Sequence, residues 1–277
     1  MSATSKVSAT SKGTVLITGA SSGIGAVYAD RLAHRGYDLI LVARSEDKLK
    51  ALADRIGKAT GRHVGILAAD LNARDGLAAV EAVLKSDKSI TGLVNNAGFG
   101  SATPLLQASA EKMEDMIGLN VTALTRLTYA AVPGLVERGG GTIVNIASIV
   151  AIAPELLNGV YGGSKAYVLA FSQSLHHELA DKNIRIQAVL PGATATDFWN
   201  VLGVPVEQLP ESIGVMSAED MVDAALAGLD QGEVVTIPAL PELADWAGFE
   251  AARKRLSPNL SHPKPAARYR VGQASAA

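Results

Sequence analysis

The chain has no cysteine. Disulfide frameworks, thiolate nucleophiles and cysteine-bound zinc are therefore excluded. Aromatic side chains are scarce, 4% of 277 residues against 48% hydrophobic, so the core has to be aliphatic, built from Ala, Val, Leu and Ile. There is no cationic surplus either. A formal net charge of −2 offers no electrostatic footprint for nucleic acid. No apolar run reaches the ~18 residues of a membrane span, so no membrane partner is expected. The histidines, His34, His63, His176, His177 and His262, lack metal-ligand spacing, and adjacent His176 and His177 diverge on a helix. No metal is expected. Residues 1–12 lack a secretory apolar stretch and repeat Ser-Ala-Thr-Ser-Lys at 2–6 and 8–12. They read as a disordered polar arm, with a processed targeting peptide as the lesser alternative. A cytoplasmic protein is expected.

What is present is a regular alternation of short apolar runs with amphipathic segments. Residues 14–18 read as a buried strand, 19–25 as a glycine turn, and 26–35 as a helix. Strand, glycine turn and helix in this order make the phosphate-binding half of a dinucleotide fold. Glycines let the backbone approach a pyrophosphate, and the helix N-terminus presents unpaired N–H groups to it. A ligand-free strand-to-helix loop is the plainer alternative. Further strands are read at 39–43, 63–69, 90–95, 140–147, 184–190 and 234–237, with helices at 46–58, 75–84, 161–181 and 218–229. One long helix is read over 110–132, interrupted near Gly118 and ending at Pro133. This pattern predicts an α/β fold, a single-domain doubly wound parallel sheet of about seven strands with helices on both faces. The domain is expected to span 13–253, with no linker inside it and a tail at 254–277.

Several strand ends carry candidate site residues. Arg44 follows the second strand, where sites for NAD place an acid against the ribose 2′-hydroxyl; no acid appears here before Glu46. A guanidinium grips a 2′-phosphate with paired N–H bonds, so NADP is expected over NAD, with NAD still possible. A solvated arginine is the alternative. Asp70 ends the third strand, either to accept from an adenine amino group or to cap the next helix. Asn96-Ala-Gly98 follows the fourth strand, as a ligand crevice or as an ordinary turn. Asn120 lies inside a helix, where asparagine is a poor former; it is either buried in a polar network or simply exposed. Ser148 ends the fifth strand. Tyr161 and Lys165, four residues apart, share a helical face. A nearby cation is expected to lower the phenol's pKa and make it a usable proton donor and acceptor.

Together these residues resemble the short-chain dehydrogenase/reductase superfamily, over roughly residues 13–237. Thr18-Gly-Ala-Ser-Ser-Gly-Ile-Gly25 looks like its cofactor loop, Asn95-Asn-Ala-Gly98 like its sheet-stabilising motif, and Pro191-Gly192 with Thr194 and Thr196 like its nicotinamide-holding stretch. The resemblance implies catalysis by Asn120, Ser148, Tyr161 and Lys165. It implies a cofactor held by Gly19, Ser21, Ser22, Gly23, Ile24, Gly25, Arg44, Asp70, Leu71, Asn96, Ala97, Gly98, Tyr161, Lys165, Pro191, Gly192, Thr194 and Thr196. The implied reaction interconverts a ketone or aldehyde and an alcohol with NADPH. Tyr161 acts as acid and base, Ser148 stabilises the alkoxide, Lys165 tunes Tyr161, and Asn120 holds a water. A homodimer or homotetramer is implied, paired through the helix bearing Val168, Phe171 and Leu175. The apolar stretch 198–205, inside a lid at about 193–216, is expected to line a pocket with Phe99, Leu156 and Leu157, so that Phe198 and Trp199 join Ser148 and Tyr161 around a neutral, apolar carbonyl compound. Burial of that stretch in a subunit contact is the alternative. A non-catalytic NADP-binding sensor and a reductase of acyl-type keto groups are the other functional readings. Two glycines beside Tyr161, Gly162 and Gly163, weaken the helix start.

Overall fold

Seven of the apolar runs become strands of one parallel sheet. They are β1 (Thr14–Thr18), β2 (Asp38–Ala43), β3 (Val64–Ala68), β4 (Ile90–Asn95), β5 (Gly141–Ile146), β6 (Ile184–Val189) and, after two strands that pair only with each other, β9 (Val235–Thr236). The order is β3-β2-β1-β4-β5-β6-β9, and every neighbouring pair is parallel. The two short strands are β7 (Thr194–Ala195) and β8 (Met216–Ser217). They bracket the predicted lid and tie its two ends together. The computed structural model describes residues 11–203, 206–210 and 213–269. The polar arm thus lies almost wholly outside the described residues, as do parts of the lid and the last residues of the tail.

The sheet is covered on both faces because its strands are apolar on both. Along β1, Val15 and Ile17 point to one side and Leu16 to the other, as the two-residue period of a strand requires. Helices α1 (Gly23–His34), α2 (Glu46–Thr60) and α8 (Ala218–Asp230) pack on the first side through Tyr28, Leu49, Ile56 and Val222. Helices α3 (Arg74–Ser86), α5 (Leu124–Glu137) and α6 (Gly159–Glu178) pack on the second through Val80, Leu127 and Leu175. Each such side chain contributes about 1.5–3 kcal/mol on full burial. Aliphatic packing on both faces is why so few aromatics suffice.

The predicted helix at 110–132 is a composite that does not stop at Pro133. Helix α4 (Ala110–Ile117) passes into a wide π turn at Gly118–Ala123 and then into α5, which runs through Pro133 to Glu137. Proline removes a helix hydrogen bond, but Leu135 beyond it is fully buried against the sheet and holds the last turn in place. The helix bearing Tyr161 also differs from expectation. Val168 and Leu175 face this chain's own core, at 0% and 7% exposure, and cannot serve a partner subunit. Gly162 meets Pro154, since a methyl group there would lie 3.2 Å from Pro154 Cβ, whereas Gly163 has open space around it.

The chain divides into two compact units between Pro238 and Ala239, where the sequence reading carried one domain to residue 253. The second unit contains α9 (Leu243–Lys254), in which Trp246 and Phe249 stack with ring centroids 5.2 Å apart. Among the described residues no helix is long and apolar enough to cross a membrane.

Candidate functional site

In the sheet, strand order reverses between β1 and β4, so a crevice opens at their carboxyl ends, where ligands bind in open α/β sheets. The loops after both strands are fastened together there. Asn96 donates from its side-chain amide to the carbonyls of Thr18 (3.0 Å) and Gly19 (3.1 Å). Thr18 Oγ1 accepts from the backbone N–H groups of Asn96 and Ala97, each at 3.0 Å. Gly19 and Gly23 have φ of +64° and +53°, a region that side chains disfavour. Gly25 is needed for space: a methyl group there would lie 2.4 Å from the Gly19 carbonyl oxygen.

Helix α1 starts in this crevice at Gly23. Ser22 precedes it without a side-chain hydrogen bond to the first turn, so those N–H groups have no side-chain cap. Ser21 and Ile24 flank the turn, half-buried. Arg44 is exposed past the end of β2 and makes no ion pair among the described residues. Asp70 is exposed beyond β3 and accepts from the Asn72 N–H at 3.0 Å; Ala73, not Asp70, precedes α3, so the capping alternative falls. Leu71 beside it is buried. Thr196 sits against the glycine loop, 3.2 Å from where a Gly23 methyl would be. Thr194 Oγ1 donates to the Gly192 carbonyl at 3.1 Å. Bare glycines, an uncapped helix start and a free guanidinium fit a phosphorylated dinucleotide.

Next to this cradle the fold gathers Asn120, Ser148, Tyr161 and Lys165, all buried. The π turn is what turns Asn120 inward. Its Nδ2 donates to the Phe99 carbonyl (2.9 Å) and Ser164 Oγ (3.1 Å), and its Oδ1 accepts from the Phe99 N–H (3.1 Å). Of the two readings of Asn120, the buried network is the one found. Gly98 clears the space between it and the lysine: a methyl group there would lie 2.9 Å from Asn120 Oδ1 and 3.5 Å from Lys165 Nζ. Lys165 Nζ donates to the Ile146 carbonyl at the end of β5 (2.9 Å) and stands 5.8 Å from the Tyr161 ring centroid. Ser148 Oγ donates to the Pro191 carbonyl (3.5 Å) and accepts from the Val150 N–H (3.3 Å), and it acts on the Tyr161 phenol to favour the charged form.

The electrostatics correct one expectation. Burial pushes the Tyr161 phenol up to about 12, against the lowering effect of the Ser148 hydroxyl. Burial also lowers Lys165 to about 8. In a site this enclosed, taking each charged form out of water outweighs the pairing expected from the four-residue spacing. At neutral pH Tyr161 therefore holds its proton, and Lys165 still carries its charge.

Apolar side chains surround the phenol. Phe99, Met116, Val150, Leu157 and Phe198 pack with Tyr161 in one cluster. Leu156 does not join it and is 55% exposed. Trp199 lies one layer out, edge-on to Phe198 at 5.9 Å. Of the polar scaffold behind the site, sequence reasoning named Asn95, in the motif likened to a sheet-stabilising one, and missed Thr128, Asn145 and Ser172. Asn95 Nδ2 donates to Asn145 Oδ1 (2.9 Å) and Thr128 Oγ1 (3.1 Å), and Asn145 Nδ2 donates to Ser172 Oγ (2.9 Å), bridging β4, β5, α5 and α6. An asparagine inside the apolar run of β5 was the available signal. Among the described residues no group of three His, Asp or Glu side chains converges as a metal site.

Comparison with known proteins agrees with this geometry. The short chain dehydrogenase family model matches residues 13–203. A short-chain dehydrogenase from Sphingobium yanoikuyae, solved in complex with NADPH, is 49% identical and superimposes with a TM-score of 0.90 over 93% of this chain and 99% of its own. The bulky-bulky ketone specific alcohol dehydrogenase from Comamonas testosteroni is 43% identical, with a TM-score of 0.86 over 94% of this chain and 99% of its own. An inactive hydroxysteroid dehydrogenase-like protein 1 from Pongo abelii is 37% identical over 66% of this chain. The chain spans less than two thirds of the length of the vertebrate hydroxysteroid dehydrogenase-like relatives it matches. With the seven-stranded parallel sheet and the glycine loop at its switch point, the match over most of the sequence means that this chain belongs to the short chain dehydrogenase family.

Proposed function

We propose that the chain is an NADP(H)-dependent oxidoreductase interconverting a ketone or aldehyde and an alcohol, with Tyr161 as the proton-transferring group. The observation that carries this is the convergence of Ser148, Tyr161, Lys165 and Asn120 beside the glycine cradle. NADPH, when bound, supplies the hydride. Gly19, Gly23 and the start of α1 would hold its pyrophosphate, and Arg44 its 2′-phosphate. The NADPH complex of the Sphingobium enzyme supports that preference.

The chain's own residues do the rest. A phenol held protonated at neutral pH donates to a carbonyl oxygen as negative charge grows there. Ser148 supplies a second hydrogen bond to the same oxygen, worth most in a site without water. Lys165, charged below about pH 8, offsets the phenolate left after the proton departs. Asn120 braces the turn that faces Lys165. The cluster of Phe99, Met116, Val150, Leu157 and Phe198 favours a neutral, apolar substrate, and the ketone specificity named for the Comamonas enzyme supports a carbonyl.

The test is NADPH oxidation against a panel of ketones and aldehydes, repeated with NADH and with Arg44→Ala. Turnover with NADPH and little with NADH, with Arg44→Ala erasing the difference, is expected. Equal use of both cofactors by the parent chain would sink the role of Arg44. The second reading, a cofactor binder without chemistry, draws on the relative named as inactive; NADPH binding with no turnover of any carbonyl would favour it. A homo-oligomer remains part of the proposal, through the same helix at Phe171, which is half-buried, together with α5. Tyr129 on α5 is 70% exposed and stacks on Phe171 of α6 at 6.5 Å, giving an aromatic patch that sedimentation of Tyr129→Glu would test.

A further inference from the structure

We propose that Gly100 and Phe198 act as a pair that sets how large a substituent the carbonyl can carry on one side of Tyr161. This rests on the reading of the site as a carbonyl site. The pair is separated by nearly a hundred residues and meets only in the folded chain. Gly100 follows β4, is buried, and does not have the positive φ that would itself demand glycine. What excludes a side chain there is space. A methyl group would lie 2.6 Å from Phe198 Cζ, 3.1 Å from Phe198 Cε2 and 3.3 Å from Tyr161 Cδ2. The Phe198 ring is therefore seated in the volume that any other residue at position 100 would fill.

Two aromatic neighbours also hold the ring. Phe198 opens α7 (Phe198–Leu202), packs on the Tyr161 ring at 5.8 Å with a 43° tilt, and meets Trp199 edge-on at 5.9 Å. Trp199 is fastened to the backbone by its indole N–H, which donates to the Thr194 carbonyl in β7 at 2.8 Å. Phe198 is thus a braced wall rather than a loose side chain, since moving it disturbs both aromatic contacts. A carbonyl held at Tyr161 meets this wall with one of its two substituents. Ketones with a small group on that side fit as the site stands. Ketones with two bulky groups require the ring to be displaced, and discrimination by pocket size of this kind reaches about 10–200-fold.

Two measurements test this. In the first, kcat/KM is measured for an aryl methyl ketone and for a diaryl ketone, with the parent chain and with Phe198→Ala. The ratio of diaryl to methyl ketone should rise at least about tenfold in the variant; an unchanged or falling ratio overturns the size role. In the second, Tm is measured for Gly100→Ala, Phe198→Ala and the double variant. Gly100→Ala should lower Tm in the parent and cost little once the ring is gone, a coupling expected of residues in contact. Additive effects overturn the seating of the ring whatever the enzyme turns over. If the parent binds NADPH but reduces no carbonyl, the functional reading falls and the size role with it, while the Tm coupling still reports the packing by itself.

Discussion

The sheet carries a buried tyrosine at each of its two ends, and they differ in what surrounds the hydroxyl. Tyr28, on α1, is 0% exposed and its hydroxyl has no hydrogen-bond partner among the described residues. It borders a cavity of about 300 Å³ at the amino ends of the strands, among residues such as Thr91, Thr142 and Arg185. Tyr161, on α6 at the carboxyl ends, is 5% exposed, and the Ser148 hydroxyl acts on its phenol to favour the charged form. Burial raises both phenols, but nothing opposes it at Tyr28 except the more distant charge of Arg35. The comparison separates burial from chemistry. Burial alone makes a phenol inert, while a partner aimed at its oxygen makes a buried phenol a directed proton donor.

The sharpest way to break the comparison is to remove each hydroxyl. Tyr161→Phe should lower kcat by about 10²–10⁴-fold, the usual worth of a general acid, with NADPH affinity nearly intact by fluorescence titration. Retained activity would remove Tyr161 from the chemistry. Ser148→Ala deletes the one interaction that lowers the Tyr161 phenol and should cost about 10²–10³-fold in kcat. A loss confined to KM would reduce Ser148 to a binding contact.

Lys165 supplies a pH test. Its ordinary value is 10.5 and in the folded chain it is about 8. Between these values the unfolded chain binds more protons than the folded one, so this site adds stability as pH rises through that window. Its contribution is complete above 10.5, and below 8 it is a constant penalty of roughly 3 kcal/mol. Lys165→Met should therefore be stabilised relative to the parent in urea unfolding at pH 7, with the gap narrowing by pH 10. A gap independent of pH would mean that burial does not shift Lys165. The smallest effect belongs to the other tyrosine. Tyr28→Phe removes a buried hydroxyl without a partner, so Tm should hold or rise by the equivalent of about 1 kcal/mol, with kcat unchanged. A loss of activity there would erase the distinction between the two ends.

The parts of the site that lie close together in sequence were legible there. The loop from Gly19 to Gly25 and the Tyr161–Lys165 spacing use local rules, the left-handed tolerance of glycine and the turn of a helix. The strands were legible for a similar reason, since a parallel sheet covered on both faces needs continuous aliphatic runs. Asn120 was legible only in part: its poor fit inside a helix interrupted near Gly118 marked it, but the choice between a buried network and exposure depended on the π turn. The continuation of α5 past Pro133 was missed because burial of Leu135 is a tertiary contact. The direction of the Tyr161 shift was missed because spacing shows which groups are near each other but not how much water remains around them.

By itself, then, the sequence determined the doubly wound architecture, the position of the glycine cradle and the set of polar groups available for chemistry, all of which follow from local periodicity and residue type. Only the tertiary structure decided which groups are enclosed, that Tyr161 keeps its proton while Lys165 is weakened as a base, and that Phe198 rests in the space left by Gly100. Those outcomes depend on desolvation and on contacts between distant segments, and both come into being only when the chain is packed.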